Sequence, residues 1–254
     1  MNACAELFPG VEVIDAHAHL GSWGYPGSTG DLDEMRRLLD RSGFSKVIVS
    51  SALAIRYDAP EGNAEVARAA ESDERIYGSV VLNPHYPQEA RSEIERYADH
   101  PRFVSAKVHP SYTGMPIDAP PSLRMLEVLA EHGLPLTFHS WNGDGISAPR
   151  AARALPELTM VWFHALAGQY RLAAELARDL PNVYLDYVTS TQERGKVDAL
   201  VEIIGAERLL FGTDQSLFDP VRPLGQVLEA GISDEDRRRI LSLNARRIFD
   251  FDGA

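Results

Sequence analysis

The sequence predicts an α/β fold, a single (β/α)8 TIM barrel, and three observations carry that expectation. A short apolar run, a polar or Gly/Pro break and a segment of helical spacing recur eight times along the chain. The runs are apolar nearly throughout rather than alternating, as parallel strands buried on both faces must be. The length of 254 residues suits one barrel, a fold that typically takes ~250, and closing eight units on themselves removes both sheet edges. An open doubly wound sheet is the competing topology. Gly21, Gly24, Gly27 and Gly30 lack the spacing of its dinucleotide-binding turn.

Taken in order, the first strand is expected over Val11–Ala16, followed from about Asp31 by a helix with Leu32, Met35, Leu38 and Leu39 on one face. The second and third strands read as Lys46–Ser50 and Ile76–Leu82, with helices over Asn63–Ser72 and Gln88–Ala98. Phe103–Val108 is the fourth strand, stopped by Pro110. Pro120 and Pro121 then start a helix striped by Leu123, Leu126 and Leu129. The fifth and sixth strands are Leu134–Phe138 and Thr159–Phe163. A short helix carries Ala151–Leu155 between them, and one striped by Leu172, Leu176 and Leu180 follows. Val183–Leu185 and Arg208–Phe211 complete the strands, separated by a helix through Val197, Leu200, Val201 and Ile204. Ser233, with Asp236 three residues on, caps the last helix. The whole of 1–254 is read as one barrel domain, residues 1–10 leading in and 233–250 forming the closing helix.

Composition removes several classes of function. With 44% hydrophobic and 24% charged residues, the chain can bury a large core, which excludes long disorder. Twenty-five basic against 37 acidic residues leave a net charge of −12, unfavourable for nucleic acid and for anionic membranes. The one cysteine, Cys4, cannot form an internal disulfide, no apolar run is long enough to span a bilayer, and the first residues lack the pattern of a secretory signal. A cytoplasmic protein acting on a small molecule is expected.

In a barrel the chemistry sits where strands end. His17 and His19 close the first strand, and residues i and i+2 of a strand share a face. His139 follows the fifth strand and His164 the sixth, and Asp214 follows the eighth in Phe211-Gly212-Thr213-Asp214. Any one of these alone reads better as a cap or a packed side chain than as a ligand. Together they place five metal-ligating groups at four strand ends around one axis. Imidazoles with a carboxylate suit Zn²⁺ best, with Mn²⁺ and Fe²⁺ also accommodated.

Val13-Ile14-Asp15-Ala16-His17-Ala18-His19-Leu20-Gly21 resembles the strand-one motif of the amidohydrolase superfamily. His139, His164 and Phe211-Gly212-Thr213-Asp214 resemble its later markers, and Asn244-Ala245-Arg246-Arg247-Ile248-Phe249 is similar to the terminal helix of its amidohydrolase-related branch, which includes aminocarboxymuconate-semialdehyde decarboxylase-like enzymes. The resemblance implies that His17, His19, His139 and Asp214 bind one divalent metal, with His164 beside the metal-activated water. In two-metal members a carboxylated lysine at the place of Lys107 bridges the ions. The alternatives for Lys107 are a partner for a substrate carboxylate or an internal salt bridge to Asp15. The chain departs from the branch after His164, where Ala165-Leu166-Ala167-Gly168 stands in place of a glycine-rich turn.

The expected reaction is therefore hydrolysis of an amide, ester or lactone of a small, carboxylated molecule, with Asp214 as proton carrier and His164 orienting water or holding developing charge. The alternative is metal-dependent decarboxylation or hydration of an unsaturated or aromatic acid on the same residues. Trp23, Tyr25, Tyr112 and Trp141 sit in strand-end loops, of which Trp23 and Trp141, with Lys107, are taken as substrate-binding. His109, followed by Pro110, reads as a turn cap. A homodimer is the oligomer the branch implies. A retired, non-enzymatic barrel would be expected to have lost a ligand, and none is missing.

Overall fold

The computed structural model describes residues 2–24, 29–188 and 193–251. Its eight strands are β1 (Ile14–Leu20), β2 (Lys46–Ser51), β3 (Ile76–Val81), β4 (Phe103–Val108), β5 (Leu136–His139), β6 (Met160–Phe163), β7 (Val183–Asp186) and β8 (Leu209–Leu210). They pair in chain order, each parallel to the next. A parallel bridge from Ala18 to Gln215 returns the sheet to β1, giving a nearly closed (β/α)8 barrel. Between sheet and helices lies one continuous apolar layer. Ile14, Ile48, Val104, Val161, Phe163 and Leu210 fill the lumen, where Phe249 and Phe251 of the C-terminal segment also pack. No helix among the described residues is long and apolar enough to cross a membrane.

β1 runs on through the histidines rather than stopping at Ala16. Its register against β2 slips between Asp15 and Ala18, so β1 carries one residue more than its neighbour there. Such a bulge reverses the inward–outward alternation. Ile14 and Ala16 pack in the lumen ahead of it, and beyond it Ala18 and Leu20 face the outer layer. The even-numbered positions have changed sides, which leaves His17 and His19 to the lumen. A second slip, between Gly78 and Ser79 of β3 and Phe103 and Ser105 of β4, acts alike. Val104 packs in the lumen but Ala106 and Val108 pack outside, so Lys107 turns inward.

β8 is short because its neighbours supply what a longer strand would. The Phe211 N–H donates to the Ile240 carbonyl at 3.0 Å, where the closing helix makes a π-turn over Arg239–Leu243. The expected single helix over 233–250 is thus three consecutive pieces, Asp234–Arg238, this turn and Asn244–Ile248. Ser233 caps it through the Asp236 N–H. Three other readings needed correction. The helix Tyr170–Arg178 buries Ala173, Ala174 and Ala177 and leaves Leu172 41% exposed, because methyl side chains let the helix lie close to the sheet; Leu176 packs against the core from its side, and Leu180, beyond the helix, is buried. A helix over Val221–Glu229 was not expected, its Pro223 and Gly225 masking the helical pattern. The lead-in contains a short helix, Ala3–Leu7, capped by Asn2.

Between β6 and the next helix the backbone turns left-handed for four residues in succession. His164, Ala165, Leu166 and Ala167 have φ of 68°, 47°, 56° and 54°, and Ala167 pairs its φ with a ψ of −113°, a region glycine occupies without strain. Surrounding contacts impose the turn: the Leu166 N–H donates to Ser140 Oγ at 3.2 Å, and Ala165 and Leu166 are fully buried.

Two outcomes are expected. Ala167→Gly should raise the unfolding free energy by about 1 kcal/mol, the relief of strain exceeding the added chain entropy; a loss of stability in denaturant titration would show the turn is not strained. Glu12 accepts from Arg246 Nε at 2.6 Å, Arg246 Nη2 at 2.7 Å and Ser242 Oγ at 2.7 Å, and chiefly the Arg246 hydrogen bonds hold its carboxyl at about 2. A depressed carboxylate contributes stability above its unfolded pKa, ordinarily 4.5, and loses it as pH falls toward the folded value. Glu12→Gln should therefore differ from wild type above that pH, by under ~1 kcal/mol for so exposed a pair, and converge with it in acid. Parallel curves would remove the linkage.

Candidate metal centre and active site

The C-terminal mouth of the barrel collects the ionisable residues from six strand ends. The β8–β1 seam is held there by Asp15, whose carboxylate accepts from the Thr213 N–H at 3.0 Å, Thr213 Oγ1 at 2.5 Å, Gln215 Nε2 at 2.8 Å and the His17 N–H at 3.1 Å. Burial pushes this carboxyl up to about 7 against the pull of those donors. Across the seam, the Asp214 N–H donates to the His17 carbonyl at 2.8 Å, and Asp214 itself adopts φ 57°. Gly212 is required by close approach: a Cβ there would lie 2.8 Å from that of His17 and 2.9 Å from Asp186 Oδ2.

Around this seam the side chains converge. His19 Nε2 lies 3.0 Å and His17 Nε2 3.6 Å from Asp214 Oδ1. His164 Nε2 is 3.0 Å from His139 Nδ1. One ligand atom each of His17, His164 and Asp214 falls within 4.8 Å of the others. The tightest triple thus includes His164, which the resemblance kept off the metal, while His19 adjoins it through Asp214 and His139 through His164.

The donor set fits a divalent cation. His17 hydrogen-bonds Asp186 Oδ2 through Nδ1 at 2.7 Å, whereas its buried Nε2, on the Asp214 side, has no hydrogen-bond partner. His19 Nδ1 meets Ser50 Oγ at 3.1 Å, and His164 Nδ1 meets the Val188 carbonyl at 2.7 Å. Burial is the main cause that lowers the histidines: His164 falls to about 4, His109 to about 2, and His17, His19 and His139 also fall below their ordinary value. Neutral imidazole is the form that binds a metal. Burial would raise Asp214, but the His19 hydrogen bond and the charges around it outweigh this and hold it below the usual carboxylate value.

Above the cluster is a cleft of about 370 Å³, with Trp23, Tyr112, Trp141 and Leu217 on its sides. His109, His139 and Trp141 form a nearly parallel stack. His109 lies 3.9 Å from His139 at 14°, and His139 lies 5.2 Å from Trp141 at 13°. A larger hollow of about 520 Å³ beside Lys196 and Arg222 shares none of the clustered ligands.

Trp23 and Trp141 line the cleft, as does Tyr112; Tyr25 lies outside the described residues. Lys107 does not line it. Its Nζ is buried without a hydrogen-bond partner, 4.1 Å from the centroid of the Phe163 ring, and burial lowers it to about 7. No Lys107–Asp15 salt bridge forms, because Asp15 is engaged across the seam. His109 is no side-chain cap of its turn; its ring lines the cleft with Nδ1 buried and unpartnered. Asp186 escaped the sequence reading altogether. The signal was there, a carboxylate at the end of a strand, but the strand was ended one residue early at Leu185.

Comparison with known proteins agrees with this architecture. The amidohydrolase family model matches residues 14–251. Over 97 residues the chain is 36% identical to an uncharacterized metal-dependent hydrolase TatD of Mycobacterium tuberculosis, covering 37% of this chain and about a third (34%) of that protein's length. The fold is similar to that of 5-carboxyvanillate decarboxylase from Sphingomonas paucimobilis, with TM-score 0.77, 17% identity and coverage of 94% of this chain and 99% of the other. It is also similar to a dihydroxybenzoic acid decarboxylase from Polaromonas sp. JS666 holding manganese and the inhibitor 2-nitroresorcinol, with TM-score 0.74, 18% identity and coverage of 96% and 98%. With the motif on β1, the strand-end ligands and a family match spanning nearly the whole barrel, the chain belongs to the amidohydrolase family, as an enzyme of the metal-dependent amidohydrolase superfamily.

Proposed function

We propose that this enzyme removes carbon dioxide from a small, planar aromatic or unsaturated carboxylic acid, using one divalent cation. The observation that carries this reading is the flat stack of His109, His139 and Trp141 running from the ligand cluster up the wall of the cleft. Stacked rings cover each other's faces, so a conjugated ring would continue the stack at its end or meet it edge to face, its carboxylate directed at the floor. The decarboxylase activity of the two structural neighbours supports it. Hydrolysis, the first expectation from sequence, remains a second reading, favoured by the partial match to the TatD hydrolase.

His17, His19, His139 and Asp214 would hold the cation, with His164 close enough to take part. When bound, such an ion supplies a Lewis acid that polarises substrate oxygens and acidifies water. The chain's own residues do the rest. Trp23 and Trp141 hold the ring and exclude water from one face of it. Decarboxylation breaks the carbon–carbon bond, and the ring carbon that keeps the electron pair must take up a proton. Asp214 and His164 both border the cleft and would carry that proton. Zinc suits the donor set and manganese is the ion of one neighbour; Lys107, buried below the cleft, would act on charge within the site or as a carbamate bridge between two ions.

The test is incubation with a panel of hydroxybenzoates, unsaturated acids, aryl esters and lactones, following carbon dioxide release and product absorbance, alongside elemental analysis. Expected are near one zinc or manganese per chain, turnover of a hydroxylated aromatic or unsaturated acid, and a loss of ~10³-fold or more in Asp214→Asn with the fold retained. Ester or lactone cleavage without carbon dioxide would establish the hydrolase reading. Two ions per chain, falling in Lys107→Ala, would establish the bridged pair.

A further inference from the structure

We propose that Asp186 is a positioning residue that sets the tautomer of His17 and, with the same carboxylate, anchors the left-handed turn that carries His164. Resting on the metal-centre reading above, this assigns to the end of β7 a part in the site.

Asp186 is fully buried, and its two oxygens serve different elements. Oδ2 lies 2.7 Å from His17 Nδ1 on β1, and Oδ1 accepts from the His164 backbone N–H at 2.7 Å after β6. The His17 ring also stacks on Phe163, at 3.6 Å and 17°, with the His19 and His164 rings at 5.3 Å and 4.8 Å. Stacking holds a plane but does not choose which nitrogen carries the proton. A carboxylate facing Nδ1 does. Burial raises the Asp186 carboxyl well above its ordinary value, against the pull of the His164 N–H, Lys107 and Lys196; in its ionised form, the form proposed here, it only accepts, so the proton sits on Nδ1 and the lone pair on Nε2. That is the atom left without a partner beside Asp214.

The second contact makes the choice testable. The His164 N–H is a fixed donor, whereas His17 Nδ1 can donate or accept according to tautomer. An amide in place of the carboxylate has one oxygen and one NH₂. Its oxygen must go to the donor that cannot change, the His164 N–H, so its NH₂ faces His17 Nδ1. The imidazole then accepts at Nδ1 and carries its proton on Nε2, where it blocks a cation. Asp186→Asn should therefore preserve the turn while inverting His17. Asp186→Ala should lose both contacts.

The decisive measurement is ¹⁵N NMR of histidine side chains in the metal-free protein, with His17 assigned by its loss in His17→Gln. Expected is an Nδ1–H tautomer in wild type and an Nε2–H tautomer in Asp186→Asn. With it, Mn²⁺ or Zn²⁺ affinity should fall ~10–100-fold in Asp186→Asn at nearly unchanged melting temperature, and in Asp186→Ala affinity and melting temperature should fall together. A purely structural role predicts that stability and affinity move together in both variants. An Nε2–H tautomer in wild type, or an Asp186→Asn protein keeping both tautomer and affinity, would overturn the proposal. Wild type that takes up no cation would instead defeat the metal-centre reading, and the tautomer measurement would still decide the role of Asp186.

Discussion

The structure depends on how the last strand meets the first. β8 has only two residues in regular pairing, too few to close a barrel by ladder hydrogen bonds alone. Closure is shared between backbone bonds beyond the strand, Ala16 N–H to the Phe211 carbonyl at 3.0 Å and Asp214 N–H to the His17 carbonyl at 2.8 Å, and a buried carboxylate: Asp15 receives four hydrogen bonds, three of them from the Thr213–Gln215 segment. A buried acceptor so fully satisfied is costly to disturb, since each donor left without it bears its own desolvation penalty. The same contacts bring Asp214 against His17 and His19. Barrel closure and assembly of the site are thus one event.

Around that seam the protein keeps its imidazoles neutral and its carboxylates shared. Five histidines lose proton affinity through burial, and Lys107 beneath them is drawn toward neutrality for the same reason. Asp214 resists the trend because His19 and the surrounding positive potential favour its charged form. The result is a concave, buried patch with one anionic group among neutral ones, an arrangement suited to a divalent cation without assembling several repelling carboxylates. Backbone strain is concentrated at the same place, in Asp214 and the four residues from His164, as is common at functional sites.

Much of this was legible in the chain. Eight apolar runs with intervening helical spacing were enough for the barrel, and strand-end positions were enough to gather the histidines and Asp214. What escaped has a common cause. The extra residue in β1 that turns His17 inward is defined only against β2. The left-handed turn after His164 is written in Ala-Leu-Ala, residues whose local preference is right-handed, and only tertiary contacts reverse it. Leu172 and its neighbours made a convincing stripe, but the helix buries the smaller alanines beside it. Asp186 escapes the sequence because one residue at a strand end decides whether a side chain belongs to the site or to a loop. His109 was discounted because the proline after it suggested a turn, whereas its ring stacks in the cleft wall.

The pairing of Asp15 with Thr213 joins positions 198 apart in the chain. As a ribosome delivers this protein, His17 and His19 emerge long before the carboxylate that completes their set, and the half-built sheet must wait with its first edge unpaired. Such long-range closure slows folding and leaves the early strands open to pairing with other chains. Under the proposed metal centre, a cation encountering the nascent chain would meet only a fragment of the ligand set, so full affinity would arrive with the final seam. Metal retention would in this sense report that the first and last strands of one molecule have found each other.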